Sequence, residues 1–448
     1  MDNYDVVIVG GGIAGSLAAV AAGRNGASVL LVEETGCLGG CLTTCGTGPM
    51  MTFHAGTLQV VRGLPEELIS RLVKKGLSPG HTVDSTGYTY TVTPFDAEGM
   101  KRELELMVTD SGAEILYHTM LVGVKKEGNL LSSVELCSCG KRFSVSGKMF
   151  IDASGDGDLL EMADIPFSQG RPSDGKDQPM TMNFRLSGVD IHLIRSLMEK
   201  NPNLFPFLAP KAGIEKEAKR LSCSGFQAIM RKGMQDGEIT FDRDIVLFFE
   251  DNTPDEVIVN MTRINGENPT DPFSLSRSEI EGRRQVWQLY AYLKKAVPGF
   301  SQARLLSSGP SIGIRSSRRM LASYNVTAQD LLSETKFPDA VSAFGYPIDI
   351  HSADGTETKT TFLRQGAWYT IPYRALTNPN VPNVMAAGRN IGCTFEAQAS
   401  LRCSPSAGAL GQAAGTAAAL AVKDRCLPTE IDVHKLQDML RTQGAFLS

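Results

Sequence analysis

The chain lacks a basic excess, a long hydrophobic run, an internal repeat and a low-complexity tract. Its 44 Lys and Arg against 49 Asp and Glu leave a net charge of −5, which argues against nucleic acid or an anionic membrane surface as the main partner. Two stretches imitate membrane segments, "VVIVGGGIAGSLAAVAA" at 6–22 and "AGALGQAAGTAAALAV" at 407–422. Both are built mostly from Gly and Ala and fall short of a spanning length. Asp2 and Asp5, not a basic region, lead into the first, so it reads as neither a signal peptide nor an anchor. Nine cysteines form an odd set without a small-scaffold disulfide framework, which fits a reducing, cytoplasmic setting. Histidine is scarce, with six in 448 residues.

What the chain does have is length and glycine. A chain of 448 residues exceeds one hydrophobic core and predicts two domains, interleaved in sequence. The 45 glycines show no collagen-like period, so they belong at specific turns and close approaches.

The first of these is the start of the chain. "YDVVIVGGGIAGSLAAVAAGRNGASVLLVEE" reads as strand, glycine turn, helix, turn, strand. Val6–Val9 is short, β-branched and apolar, as a buried parallel strand should be. Gly10, Gly12 and Gly15 supply G-x-G-x-x-G. The first permits a tight turn, the second lets a pyrophosphate approach the backbone, and the third lets the helix pack on the strand. The helix N-terminus offers N–H groups to the phosphates. Glu33 closes the second strand, 18 residues after Gly15, where a carboxylate accepts from a ribose diol. Together these predict a dinucleotide site.

Two later segments choose between dinucleotides. "KMFIDASGDGD" (148–158) and "VPNVMAAGRNIG" (381–392) are further apolar strands running into glycine turns, and a small-residue helix follows the second. One sheet visited near residues 6, 150 and 385 is a nucleotide domain with insertions, an arrangement suited to extended FAD.

The motifs "VVIVGGGIAG", "LLVEETGCLGG", "GLPEEL", "TPFDAEGMKRELELM", "FIDASGDGD", "PFSQGR", "IGIRSSRRM", "YPIDIH", "YTIPYRAL" and "AAGRNIG…GQAAG" run from residue 6 to 415. As an ordered set they resemble the FAD-dependent oxidoreductases that include heterodisulfide-reductase A-type flavoproteins, within the wider glutathione-reductase and fumarate-reductase superfamily. The resemblance implies an α/β fold: a glutathione-reductase-like, Rossmann-type FAD-binding domain interrupted by an α+β substrate domain. The FAD-binding parts are then 1–56, 96–185 and 376–425. The substrate or cap parts are 57–95, 186–300 and 321–375, and 426–448 forms a tail helix.

By the same resemblance Gly10, Gly12, Ile13, Ala14 and Gly15 hold the pyrophosphate, and Glu33 and Glu34 lie at the adenosine ribose. Gly39, Gly40, Cys41, Thr43 and Thr44 run toward the isoalloxazine, and Val122 brackets adenine. Ala153, Ser154, Gly155 and Asp156 cover the diphosphate. Gly388, Arg389, Ala407 and Gly408 face the ribityl chain and the flavin C2 carbonyl, where a helix dipole favours the charge of the reduced ring.

The loop "VEETGCLGGCLTTCGTGPM" places Cys37, Cys41 and Cys45 at four-residue spacing. A cluster wants four ligands, and no fourth cysteine is near. A dithiol would be C-x₃-C where glutathione-reductase-type enzymes have C-x₄-C, so small space-filling cysteines are the expectation, with the dithiol left open. No metal site is expected. Candidates for catalysis are His351 in "YPIDIH", His54 in "MMTFH", Tyr373 and Arg374 in "YTIPYR", and Arg402 in "ASLRC". Histidine suits a general base, and Arg374 with Arg402 could clamp a carboxylate. Arg315 is expected in a structural ion pair.

The activity expected is hydride exchange between a small polar or anionic metabolite and flavin N5, with a separate electron acceptor. An electron-transfer subunit and a tRNA-modifying flavoprotein are the rivals. Neither nucleic acid nor membrane is an expected partner, and a homo-oligomer is left open.

Overall fold

The computed structural model describes residues 3–205, 216–354 and 358–447. Residues 206–215 and 355–357, within segments that the sequence assigns to the insert, lie outside the described residues, as do residues 1, 2 and 448.

Strand β1 (Asn3–Val9) leads through the glycine turn into helix α1 (Ile13–Arg24) and strand β2 (Val29–Val32). Every residue of β2 is buried, as is each of Ile13 to Ala22 in α1. That explains why the helix is written in Ala, Gly and Val with no polar face. Helices α2 (Leu64–Lys74) and α3 (Ala97–Asp110) follow. Asp96 caps α3 by accepting from Gly99 N–H at 2.6 Å, which starts the helix where its charged and apolar alternation begins.

Strands β3 (Glu114–Leu116), β4 (Met120–Glu127), β5 (Leu130–Ser138) and β6 (Lys141–Asp152) complete this part. The sheet runs in the order β3-β2-β1-β6-β5-β4. β1 is parallel to β2 and β6, and β2 to β3. β6 is shared between two patterns: its first half pairs antiparallel with β5, and Phe150–Asp152 pair parallel with a late strand, Val384–Ala386. A parallel nucleotide-type sheet and an antiparallel meander are thus joined by one long strand, of which the motif at 148–158 marks only the later part.

A second layer is an antiparallel sheet made from β7 (Phe184–Ser187), β8 (Ser222–Gly225), β9 (Val246–Glu250), β10 (Val257–Val259) and β11 (Arg304–Ser308), in the order β8-β9-β10-β7-β11. Helix α4 (Pro272–Ala296) packs Val286, Leu289 and Leu293 into its core, which draws on residues from Met180 to Ile312. The buried side chains of the other segments form a separate core. Leu64, Leu68 and Phe95, and Val341, Phe344, Tyr369 and Ile371, all belong to that larger core. So do Leu436 and Leu440 of the last helix, Val433–Thr442. Residues 57–95 and 321–375 therefore bury their apolar side chains with the nucleotide-type sheet, although the sequence groups them with the insert. Within 321–375, β12 (Ile348–His351) pairs with β13 (Thr358–Thr361).

Helix α5 (Ser404–Asp424) lies along α1. A Cβ on Gly411 would fall 2.1 Å from the Ala14 carbonyl oxygen, and one on Gly415 2.1 Å from that of Ala18. Only glycine permits two helix backbones to approach so closely. Among the described residues no helix is long and apolar enough to cross a membrane.

Candidate active site

Gly10, Glu33, Ala153 and Gly388 each follow the carboxyl end of a parallel strand. Ligands of open α/β sheets bind at such ends. Gly10 takes φ +98°, and a Cβ there would strike Ala153 O at 2.5 Å; a Cβ on Gly15 would lie 1.8 Å from Gly10 O. Gly12 differs: nothing stands within 4 Å of where its side chain would be. Glycine is thus demanded by neighbours at 10 and 15, and at 12 a space is kept open beside the helix start. Helix α1 has no side-chain cap and no acidic residue in its first turn, so its N-terminal N–H groups are left to an outside acceptor.

The loop from Leu38 to Cys45 is fastened to this turn. Gly39 N–H donates to Gly11 O at 2.9 Å. Gly39 and Gly40 have φ of +109° and +54°, and the Thr43 and Thr44 hydroxyls donate to Leu38 O at 2.7 Å and Gly40 O at 2.8 Å. These threonines shape the loop rather than reach out of it. Glu33 is buried and its carboxylate accepts from Gly11 N–H at 2.6 Å and from Thr35 N–H at 2.8 Å. Glu34 is exposed. Val122 lies on β4, half-buried, three residues after Thr119, whose N–H donates to Glu33 O at 3.0 Å.

Across the turn, Ser154 Oγ donates to the buried Asp152 at 2.7 Å. Arg389 Nε donates to Gly155 O at 2.9 Å, and its guanidinium also pairs with Asp156 and bonds Ile314 O. Ala407 and Gly388 meet at Ala14 and sit beside the fingerprint helix. A Cβ on Gly408 would meet Leu17, Ile13 and Pro65, so glycine there lets the helices pack closely.

The five catalytic candidates separate. His351 and Arg402 meet on Asp349: His351 Nε2 lies 3.2 Å and Arg402 Nη2 3.7 Å from Asp349 Oδ2. Burial, opposed by Asp349 and reinforced by Arg315, holds the His351 pKa down at about 3. The ring is neutral at pH 7. Its Nε2–H donates to the carboxylate, so Nδ1 accepts from the Thr358 hydroxyl at 3.3 Å. A proton taken at Nδ1 must therefore pass that hydroxyl. Asp349 is held far below the carboxylate range: burial opposes this, and His351, Arg402 and a bond from Tyr88 overcome it.

His54 sits elsewhere, with Nδ1 3.1 Å from Thr91 Oγ1 and its ring edge-on to His81, which in turn contacts Glu66. Burial and then His81 lower its pKa to about 4. Tyr373 is fully buried and donates to Pro428 O at 2.8 Å. Arg374 is 48% exposed and paired with Asp339 at 2.8 Å. Neither Tyr373 nor Arg374 joins Arg402, because the short helical turn at Tyr373–Ala375 directs one into the core against the chain end and the other to the surface. Arg315 makes no ion pair among the described residues; it donates instead to Pro179 O at 2.7 Å and to Thr181 Oγ1.

Sequence reasoning missed Asp349, although Asp349 and His351 stand two apart on a strand and so share a face. Cys41 and Cys45, the pair that the open dithiol reading would use, lie side by side. All nine cysteines are free thiols. The Cys45 thiol beside it, aided by Arg389 and Arg402, lowers the Cys41 pKa, and Cys45 is correspondingly raised. Cys37 points away, toward Thr43 Oγ1 at 3.9 Å.

The geometry fits its relatives. A reductase named digeranylgeranylglycerophospholipid reductase 1, from Methanococcoides burtonii, is 28% identical over 201 residues, 42% of this chain and 46% of its own. A soluble pyridine nucleotide transhydrogenase from Mycobacterium bovis is 32% identical over 126 residues, 27% of each chain. The chain thus matches less than half the length of these curated relatives. Among solved structures, a geranylgeranyl bacteriochlorophyll reductase-like protein from Thermoplasma acidophilum has a TM-score of 0.50 at 12% identity, covering 99% of this chain and 84% of that one. A flavin-dependent halogenase has a TM-score of 0.50 at 13% identity, covering 99% and 62%. These structures share the fold. The family described as FAD dependent oxidoreductase matches residues 5–440, so this chain belongs to the FAD-dependent oxidoreductases, with FAD as its cofactor.

Proposed function

We propose that the protein oxidises or reduces a small polar metabolite at a flavin held across the carboxyl ends of the parallel strands. The observation that carries this reading is the open space at Gly12 beside an uncapped helix start, with Glu33 buried at the neighbouring strand end. The turn from Gly10 to Gly15 would take the pyrophosphate, Glu33 the ribose, and the Gly39–Thr44 loop the length of the cofactor. Bound there, FAD supplies two-electron chemistry by exchanging a hydride at N5. The chain's own contribution is orientation and charge: Arg389 and Asp156 pin the 155–156 turn, and Asp349 fixes His351 as a neutral ring. The finer likeness to heterodisulfide-reductase A-type and glutathione-reductase-type flavoproteins rests on the ordered motifs and on the parallel sheet continued by a meander.

The test is anaerobic. The purified protein should release one FAD per chain on denaturation, and its visible flavin band should bleach with one member of a metabolite panel. Release of NAD, or no flavin, contradicts the reading.

A second reading is favoured by Cys41 lying against Cys45: the two thiols would close to a disulfide, losing two protons and two electrons, with the bound flavin as the chemistry that could take the electrons. A Cys41→Ser, Cys45→Ser double variant that bleaches within about tenfold of the parent, under roughly 1.4 kcal/mol, supports the first reading. Complete loss with FAD retained supports the second.

A further inference from the structure

Four arginines converge on the strand that carries Asp349 and His351, and they come from four separate parts of the chain. Arg402 donates to Asp349 O at 3.2 Å. Arg263 donates to Ser352 O at 2.9 Å, one residue past His351. Arg243 and Arg315 share Asn260: Arg243 Nη2 lies 3.2 Å from its carbonyl oxygen, and Arg315 Nη2 3.4 Å from its Oδ1. Arg243 and Arg263 belong to the segments flanking β9 and β10, whereas Arg402 and Asp349 directly follow Leu401 and Ile348 of the larger core. The cluster therefore sits where the two layers meet, a usual place for ligands.

Among the described residues, two of its guanidinium groups stand without a carboxylate. Arg402 and His351 share the single carboxylate of Asp349. Of the nearest other acids, Asp242 is exposed and Asp244 is paired with Arg231 at 3.0 Å. Among the described residues, Arg243 and Arg315 have no carboxylate within 4 Å. Arg243 is only 8% exposed, and among the described residues its Nε has no hydrogen-bond partner. Burial, and then the other guanidinium groups, pull Arg243 down to about 10 and Arg315 to about 9. Guanidinium groups left buried and unpaired are costly. An anion removes that cost, and a planar fork accepts two oxygens of one carboxylate or phosphate.

The cluster also adjoins the loop that follows the nucleotide fingerprint. Asn183 Nδ2 donates to Thr47 Oγ1 at 2.9 Å, and Cys45 Sγ reaches Ile312 O at 3.3 Å, three residues before Arg315. A ligand on the arginines would lie toward the Cys45–Thr47 end of that loop.

We infer that Arg243, Arg263, Arg315 and Arg402 bind a small metabolite bearing at least two anionic groups, and that this is the substrate class of the enzyme. The inference rests on the reading of the previous subsection for the chemistry, and on the cluster alone for the binding. Carboxylates and phosphate esters share the recognition chemistry, so the test uses both.

The flavin-loaded protein is titrated by calorimetry with acetate, succinate, citrate and inorganic phosphate at constant ionic strength, while the visible flavin band is recorded. Saturable binding of succinate, citrate or phosphate is expected, with acetate at least about tenfold weaker. Succinate or citrate without phosphate assigns carboxylic acids, and the reverse assigns phosphate esters. Arg243→Gln and Arg315→Gln should each weaken binding roughly tenfold or more at unchanged flavin content. Arg374→Gln, on the surface, should leave it unchanged. If the Gln variants fail to fold, Arg243→Lys and Arg315→Lys keep the charge but lose the fork, and several-fold weaker binding is expected. Absence of saturable binding, or binding untouched by the substitutions, overturns the inference. A protein that binds the anion but releases no FAD refutes the redox reading alone; one that releases FAD and ignores every anion refutes this one alone.

Discussion

The glycine turn and the arginine cluster are built in opposite ways. At Gly10–Gly15 the work is done by backbone, and the residues stand within one strand–turn–helix unit. Around Asp349 it is done by side chains drawn from residues 88, 243, 263, 315, 351 and 402. The first is local and tolerates little change of shape. The second is long-range and depends on charge. One can be inferred from spacing, and the other appears only when the layers are brought together.

Substitutions within the glycine turn give the largest effects and divide it in two. Gly15→Val places carbon against the Gly10 carbonyl, where the gap is 1.8 Å, and should abolish soluble folded protein, a loss above about 4 kcal/mol. Gly12→Val meets nothing within 4 Å and sits at φ −60°, so its flavin-free fold should melt like the parent while FAD retention is lost. Circular dichroism and released flavin measure the two. Equal melting of both variants would erase the distinction.

In the charged region, Asp349→Ala leaves Arg402 and His351 without their carboxylate and should cost about 3–5 kcal/mol in a denaturant titration. A loss below about 1 kcal/mol would mean that Asp349 is not the keystone there.

Acidification should weaken the protein through its two half-buried histidines, His351 and His54. Both have folded pKa values below the ordinary 6.5, about 3 for His351 and about 4 for His54. The unfolded chain takes up protons first, so this stability is whole above about pH 6.5 and drains as pH falls toward those values. The slope is at most about 1.4 kcal/mol per pH unit for each ring. Urea midpoints at pH 7, 6 and 5 measure it, and His351→Gln or His54→Gln should each flatten the slope. A parent already flat over that range contradicts both assignments.

The smallest effect expected is Arg374→Lys. Its exposed pair with Asp339 is worth less than about 1 kcal/mol, and flavin content and KM should not move. A large rise in KM would return Arg374 to the site.

The nucleotide half was legible because its signals are local. Strand, turn, helix and terminal acid all lie between residues 3 and 33, and the Asp96 cap and the hairpin turn at Cys139–Gly140 follow the same logic. The insert's limits were less legible, since nothing local in 57–95 and 321–375 marks which core takes their apolar side chains, and these join the other one. Tyr373 and Arg374 misled because a motif fixes neighbours in sequence and not the direction of a side chain. Asp349 was within reach of period-two reasoning. Arg243 was not, for nothing local marks a buried arginine that has no carboxylate beside it among the described residues.

The seam between α1 and α5 has a consequence in time. Gly411 and Gly415 seat against Ala14 and Ala18, so the helix that opens the nucleotide cradle is backed by one made almost four hundred residues later. Contacts of such separation form late, after a long loop has closed. During synthesis the fingerprint emerges first and must wait, its all-buried helix exposed, until the far end of the chain arrives. Capture of the cofactor then belongs to the last stage of folding, and a truncation before residue 404 should leave a chain that holds the whole fingerprint and retains no flavin.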